Sequence, residues 1–219
     1  MGIFYTHIDI AFNLLMILLV VVVLFREIKH IPWKLWQEPG VFSAWCASLI
    51  VLTLVWRMRV HVQADMHLHL LGVAMLALMF GRTLASFGAA LAVIAYTGEY
   101  GGLWLNLGTN IMLLGIFPCF LSDLILGKTQ QYLPQHMFVY LFGNGFFGAF
   151  FVNAATGLFA ITTHCLLLPA NPVSSDAFAY MLLLAWGEAF LVGFLITIFV
   201  VYKPAWVFTF DDQIYLRGK

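Results

Sequence analysis

Residues 178–202 read FAYMLLLAWGEAFLVGFLITIFVVY, twenty-five residues that carry a single charge, Glu188. A helix rises about 1.5 Å per residue, so this run is long enough to cross the roughly 30 Å hydrocarbon core of a bilayer. The rest of the chain repeats the pattern. Of its 219 residues, 63% are apolar and only 9% charged, ten Lys+Arg against ten Asp+Glu. A soluble domain carries about a quarter charged residues. A chain this poor in charge cannot cover a water-facing surface. Soluble enzymes, nucleic-acid binders and secreted disulfide scaffolds are therefore excluded. Cys46, Cys119 and Cys165 lie far apart, without a CxxC or zinc-finger spacing, and indicate neither a disulfide framework nor a thiolate cluster. The fold class expected is all-α: a polytopic integral membrane protein of about seven transmembrane helices.

Outward from that run lie six more apolar segments: Ile10–Phe25, Phe42–Trp56, Leu68–Phe80, Thr83–Tyr96, Leu103–Leu126 and Met137–Leu168. Glycine, proline and charge separate them, at Pro32, Pro39–Gly40, Gly81–Arg82, Gly98–Gly102, Gly127–Lys128 and Pro169–Pro172. No basic region precedes the first segment and no small-residue cleavage site follows it, so it reads as a retained helix and not a signal peptide. Leu68–Phe80 and Thr83–Tyr96 are short for a span and tightly joined. They are expected to form an antiparallel pair or to be partly re-entrant. Met137–Leu168 is too long for a straight span, and a break at Gly143–Asn144–Gly145 or Gly157, or a strong tilt, would accommodate it.

Seven spans place the termini on opposite sides. With the N-terminus outside, the cytoplasmic set is Arg26, Lys29, Lys34, Arg82, Lys128, Lys203, Arg217 and Lys219, against only Arg57 and Arg59 outside. That asymmetry selects this orientation by the positive-inside rule. Histidine runs the other way: His7, His61, His67, His69 and His164 fall at the external side, with Asp9, Asp65, Glu99 and Asp176.

The densest group of metal-ligating side chains is His61-Val-Gln-Ala-Asp65-Met66-His67-Leu-His69. On a continuous helix His61, Asp65 and His69 share a face and His67 points away. In an irregular loop His67, His69, Asp65 and Met66 can all turn to one ion, with His7 a further candidate. Neutral imidazole suits cobalt, nickel, copper and zinc, and the thioethers of Met58, Met66, Met75, Met79 and Met112 would suit cuprous copper. Against this stands the bland alternative that interfacial His and Met are fillers. Gly98–Gly102 makes a tight external turn next to Glu99. Asn106 and Asn110 then lie on one helix face, with Gly108 allowing another helix to approach closely. Glu188 is an acidic residue inside a clear span, which points to a functional site. It would attract a passing cation or accept hydrogen bonds from a neighbouring helix. No GxxxxGK[ST], HExxH or GxSxG occurs, so no catalytic role and no organic cofactor is expected.

His67-Leu-His69-Leu-Leu-Gly72, followed by Gly101-Gly102-Leu-Trp-Leu-Asn-Leu-Gly108-Thr-Asn110-Ile-Met-Leu-Leu-Gly115, resembles the paired signature of the cobalt/nickel energy-coupling-factor permeases of the CbiM/NikM type. Phe138–Gly148, Glu188–Gly193 and Val201–Asp212 are similar to a divergent proteobacterial branch of that family. The resemblance spans residues about 40 to 216. It implies a multi-pass protein of a prokaryotic cytoplasmic membrane that binds Co²⁺ or Ni²⁺ on the outside. Its partners would be membrane lipid, a transmembrane coupling protein and ATPase subunits. His69 matches the family's metal-coordinating histidine, and Asn110 the Asn beside the metal pocket. Family members begin Met-His and complete a planar nitrogen site with that start. Here position 2 is Gly2, so either His7 or His67 substitutes or the metal site is lost. The domain division expected is a first helix and cytoplasmic linker at 1–40, a permease-like core at 41–203 and a cytoplasmic tail at 204–219. Two other readings stand beside metal uptake: a non-transporting accessory subunit of a larger membrane complex, and copper handling.

Overall fold

The first helix, α1 (Ile10–Ile28), buries a narrow stripe of Asn13, Val20 and Glu27 and leaves Leu14, Leu18, Val21 and Phe25 exposed. Steps of seven residues are close to two helical turns and keep such a stripe on one side. In a bilayer the exposed apolar side faces lipid, which is as apolar as leucine. The computed structural model describes residues 2–33, 40–63, 66–168 and 173–215, and of residues 61–63, 66, 212 and 214 the backbone alone. After α1 come α2 (Val41–Arg57), α3 (Val73–Glu99), α4 (Trp104–Tyr132), α5 (Met137–Leu167) and α6 (Asp176–Tyr202). Among the described residues, α1, α3, α4, α5 and α6 are long and apolar enough to cross a membrane, and α2 is a shorter apolar helix.

α3 is not one straight rod. Gly81 adopts φ 75°, ψ 165° in its middle, a conformation open to glycine and strained for other residues. A straight helix would hold Leu76 and Gly88 about 18 Å apart. Instead, a Cβ on Gly88 would lie 3.3 Å from Leu76 Cδ2. Trp56 confirms the reversal. Its indole Nε1 donates to the carbonyl of Leu71, just before α3, at 2.9 Å, and its ring meets that of Tyr96, near the end of α3, at 6.1 Å. The stretches 73–80 and 82–99 therefore lie antiparallel, as the short paired segments of the sequence suggest.

Two elements differ from expectation. The histidine-rich stretch is neither helix nor irregular loop but an antiparallel hairpin, β1 (Arg59–Gln63) and β2 (Met66–His69), with Arg59 opposite His69 and His61 opposite His67. Val60 and Val62 alternate with polar residues there, the period of a strand. The all-α expectation is corrected at that hairpin, and the segment assigned to begin at Leu68 begins its helix at Val73. α5 does not break at Gly143–Gly145. It widens into a π-helical stretch over Tyr140–Gly148, and Thr129 of α4 donates to Asn144 Oδ1 there at 2.6 Å.

At the Gly81 end, Arg82 pairs with Glu27 of α1 at 3.1 Å and Asp123 of α4 at 2.9 Å. The tail after α6 returns to this end. Phe208 N and Thr209 Oγ1 donate to the carbonyls of Met79 and Leu78, at 2.7 and 2.6 Å. These carbonyls end the 73–80 helix and have no acceptor role left within it.

Candidate metal site

The site lies at the end of the bundle opposite Gly81 and begins with the N-terminal segment. Ile3, Phe4 and Ile8 are buried. Leu103 N donates to the carbonyl of Phe4 at 2.7 Å, and two asparagines of α4 supply further partners for the segment's backbone. Asn110 Oδ1 accepts from Ile3 N at 2.7 Å, and Asn110 Nδ2 donates to Ile3 O at 3.1 Å. Asn106 Nδ2 donates to Ile3 O at 2.9 Å and Thr6 O at 2.6 Å. Asn13 of α1 joins them, donating to Asn106 Oδ1 at 3.3 Å and accepting from Thr109 at 2.7 Å. Gly108 lets α1 close in: a Cβ there would stand 2.5 Å from Ile17 N. A Cβ on Gly2 would press on Phe4 and lie 2.8 Å from Asn110 Oδ1, so position 2 has no room for an imidazole without displacing the clamp.

His69 sits at the end of β2, 3% exposed, with Trp56 against its ring at 5.4 Å. Its Nδ1 lies 2.8 Å from the carbonyl of Leu70. A carbonyl only accepts, so Nδ1 carries the proton and Nε2 presents its lone pair. Nε2 is buried and has no hydrogen-bond partner among the described residues. Burial above all, and nearby positive charge, hold this imidazole well below its ordinary pKa, so it is neutral near pH 7. A neutral imidazole whose other nitrogen is fixed by a carbonyl is the usual preparation of a metal ligand.

Around it, Arg59 Nη1 donates to the hydroxyls of Tyr5 at 2.6 Å and Tyr96 at 3.0 Å, joining the hairpin to the N-terminal segment and α3. Tyr5 also lies edge-on to half-buried His67, at 5.5 Å. Beneath His69, the turn 70–72 rests on Glu188 of α6. Oε2 accepts from Leu71 N at 2.8 Å and Oε1 from Gly72 N at 2.6 Å, while Asn153 of α5 donates to Oε2 at 3.3 Å. Gly72 is required twice here. Its φ is +70°, and a Cβ would meet Leu52 at 2.6 Å. Of the two roles open to Glu188 in the sequence, hydrogen bonding from neighbours is the one seen.

His67 and His69 are thus two residues apart on one strand, which puts them on the same face. His7 and Glu99 are exposed, and Asp65 lies outside the described residues. Among the described residues no group of three or more His, Cys, Asp or Glu is arranged to hold a metal ion. Asn106 and Asn110 bind the N-terminal segment more than neighbouring helices. The sequence marks Arg59 only as an external charge and gives no role to Tyr5, Trp56 or Tyr96; the alternation at 59–63 is the signal for the hairpin beside them. A cavity of about 350 Å³ touches Leu70 and Gly72 from the other side, between α2 and α6. Its lining is apolar except for Ser48, so it offers little to a cation.

This geometry defines a multi-pass membrane protein with a buried imidazole, His69, at one end. The chain belongs to the CbiM family, the cobalt uptake substrate-specific transmembrane region, whose model matches residues 2–206. The family is a transport component and not an enzyme, and the protein is accordingly a membrane component of metal uptake. Its fold is similar to the crystal structure of a truncated transition metal transporter, at 18% identity, over 92% of this chain and 98% of that one, TM-score 0.74. A second transition metal transporter structure is similar at 18% identity, over 92% and 93%, TM-score 0.71. No curated protein sequence matches the chain.

Proposed function

We propose that the protein is the substrate-binding component of an ATP-driven Co²⁺ or Ni²⁺ uptake system in a prokaryotic cytoplasmic membrane. The observation that carries this reading is the buried Nε2 of neutral His69, which has no hydrogen-bond partner among the described residues. In the proposed orientation seven helical segments cross or enter the bilayer, the N-terminus and hairpin face outward, and the Arg82 end and tail face the cytoplasm. His69 Nε2 displaces a water from the arriving ion, and His67, Asp65 or His7 and solvent complete its coordination. A transmembrane coupling protein and ATPases on other chains supply the movement that carries the ion inward. The test is accumulation of Co²⁺ and Ni²⁺ in cells expressing the whole transport system. His69→Ala should reduce accumulation to the level of cells lacking this chain. Undiminished accumulation would remove the reading.

A second reading is favoured by the packing of Gly2, where a side chain would press on Phe4 and Asn110 and could not turn toward an ion without displacing them. In it the chain keeps the fold as an accessory subunit of a larger membrane complex. Co-purification with a stable complex that contains no ATPase would support it.

A further inference from the structure

His69 and Glu188 are joined by one peptide group. The carbonyl of Leu70 and the N–H of Leu71 are its two ends, held in one plane and pointing in opposite directions. The carbonyl accepts from His69 Nδ1 at 2.8 Å, and the N–H donates to Glu188 Oε2 at 2.8 Å. The line runs from a carboxylate on α6, through one amide, to the imidazole at the end of β2. Two more donors, Gly72 N and Asn153 Nδ2, fix the carboxylate, and all its partners among the described residues are donors, matching an acceptor-only group. Trp56 Nε1, bonded to Leu71 O at 2.9 Å, holds the following peptide.

We infer that Glu188 is a positioning residue for His69, acting through the Leu70–Leu71 peptide to fix its tautomer and aim Nε2. The inference rests on the metal-capture reading for its purpose but not for its geometry. A carboxylate that accepts from an amide N–H polarises the amide and makes its carbonyl a stronger acceptor. The Leu70 carbonyl then keeps the proton on Nδ1 and the lone pair on Nε2. Metal-binding histidines commonly meet a carboxylate directly at the second nitrogen. Here the carboxylate stands one peptide away, on a different helix. An intramembrane carboxylate is costly, and its placement under this turn gives it a task beyond closing a helix end.

The experiment uses the full chain, labelled with ¹⁵N-histidine and ¹⁵N-tryptophan, in lipid nanodiscs without metal. The His69 and Trp56 signals are identified by their loss in His69→Gln and Trp56→Phe. In the wild type, His69 should show the Nδ1–H tautomer. Glu188→Ala should shift it toward the Nε2–H form and move the Trp56 indole signal. Glu188→Gln, which puts a neutral acceptor in the same place, should do the same to a smaller extent, and it decides the matter if Glu188→Ala does not fold. In a parallel titration, Ni²⁺ affinity should fall about tenfold to a hundredfold in Glu188→Ala. Folded variants with the wild-type tautomer and indole position would overturn the inference. If the wild type binds no Ni²⁺, the metal-capture reading fails, while the tautomer result still decides the role of Glu188.

Discussion

Asn110→Ala offers a clean perturbation, because the bonds it removes are not equivalent. Ile3 O accepts from both Asn110 and Asn106, at 3.1 and 2.9 Å, and would keep the second donor. Ile3 N donates to Asn110 Oδ1 at 2.7 Å and would be left buried without an acceptor. Leaving such a group unsatisfied costs about 1–3 kcal/mol. At about 1.4 kcal/mol per factor of ten, the undocked state of the N-terminal segment gains about five- to 150-fold in population. The cost is local, so it should appear as local opening, which amide exchange measures. Hydrogen exchange of residues 4–8 should accelerate by that factor, with α5 and α6 unchanged. Because the segment packs over the hairpin through Tyr5 and Arg59, Ni²⁺ affinity should fall as well. Exchange at the wild-type rate in residues 4–8 would refute the claim that the asparagine clamp docks this segment.

Other outcomes follow from the same structure. Gly81→Ala should lower stability by about 1–3 kcal/mol for backbone reasons alone, since no atom lies within 4 Å of the added methyl. An unchanged thermal midpoint in detergent would contradict the chain reversal there. Gly2→His should lower the midpoint and fail to tighten Ni²⁺ binding, because the new side chain collides with Phe4 and Asn110; tighter binding in titration calorimetry would show that the segment can rearrange. The depressed pKa of His69 makes stability depend on pH in a definite direction. As pH falls through about 6.5 the unfolded chain takes up a proton that the folded site refuses. This residue therefore destabilises the fold on acidification, and His69→Gln should flatten the slope of the thermal midpoint between pH 7.5 and 5.5. An identical slope would place the proton uptake elsewhere.

The helices were legible because the bilayer imposes a crude rule of length and apolarity, which 10–28 and 176–202 satisfy without reference to packing. The Gly81 break was legible for a related reason: segments too short to cross need a joint, and glycine next to arginine is a poor place for a helix to continue. Glu188 announced itself by its cost. The hairpin is not among the helix and irregular-loop expectations for 61–69, although Val60 and Val62 alternate with period two. The role of Asn106 and Asn110 was hidden for another reason. Apart from Asn13, their partners are backbone groups of Ile3 and Thr6, about a hundred residues away, and backbone groups leave no mark on a sequence. The Leu70–Leu71 link from Glu188 to His69 is equally silent, since it passes through a peptide that any residue pair supplies.

The most direct measurement is a Co²⁺ and Ni²⁺ titration of the purified full chain in nanodiscs, read by calorimetry and by metal content after gel filtration, beside a His69→Gln variant. The account predicts one ion per chain in the wild type, and none retained by the folded variant. Equal binding by the two proteins, or no specific binding by the wild type, would contradict it.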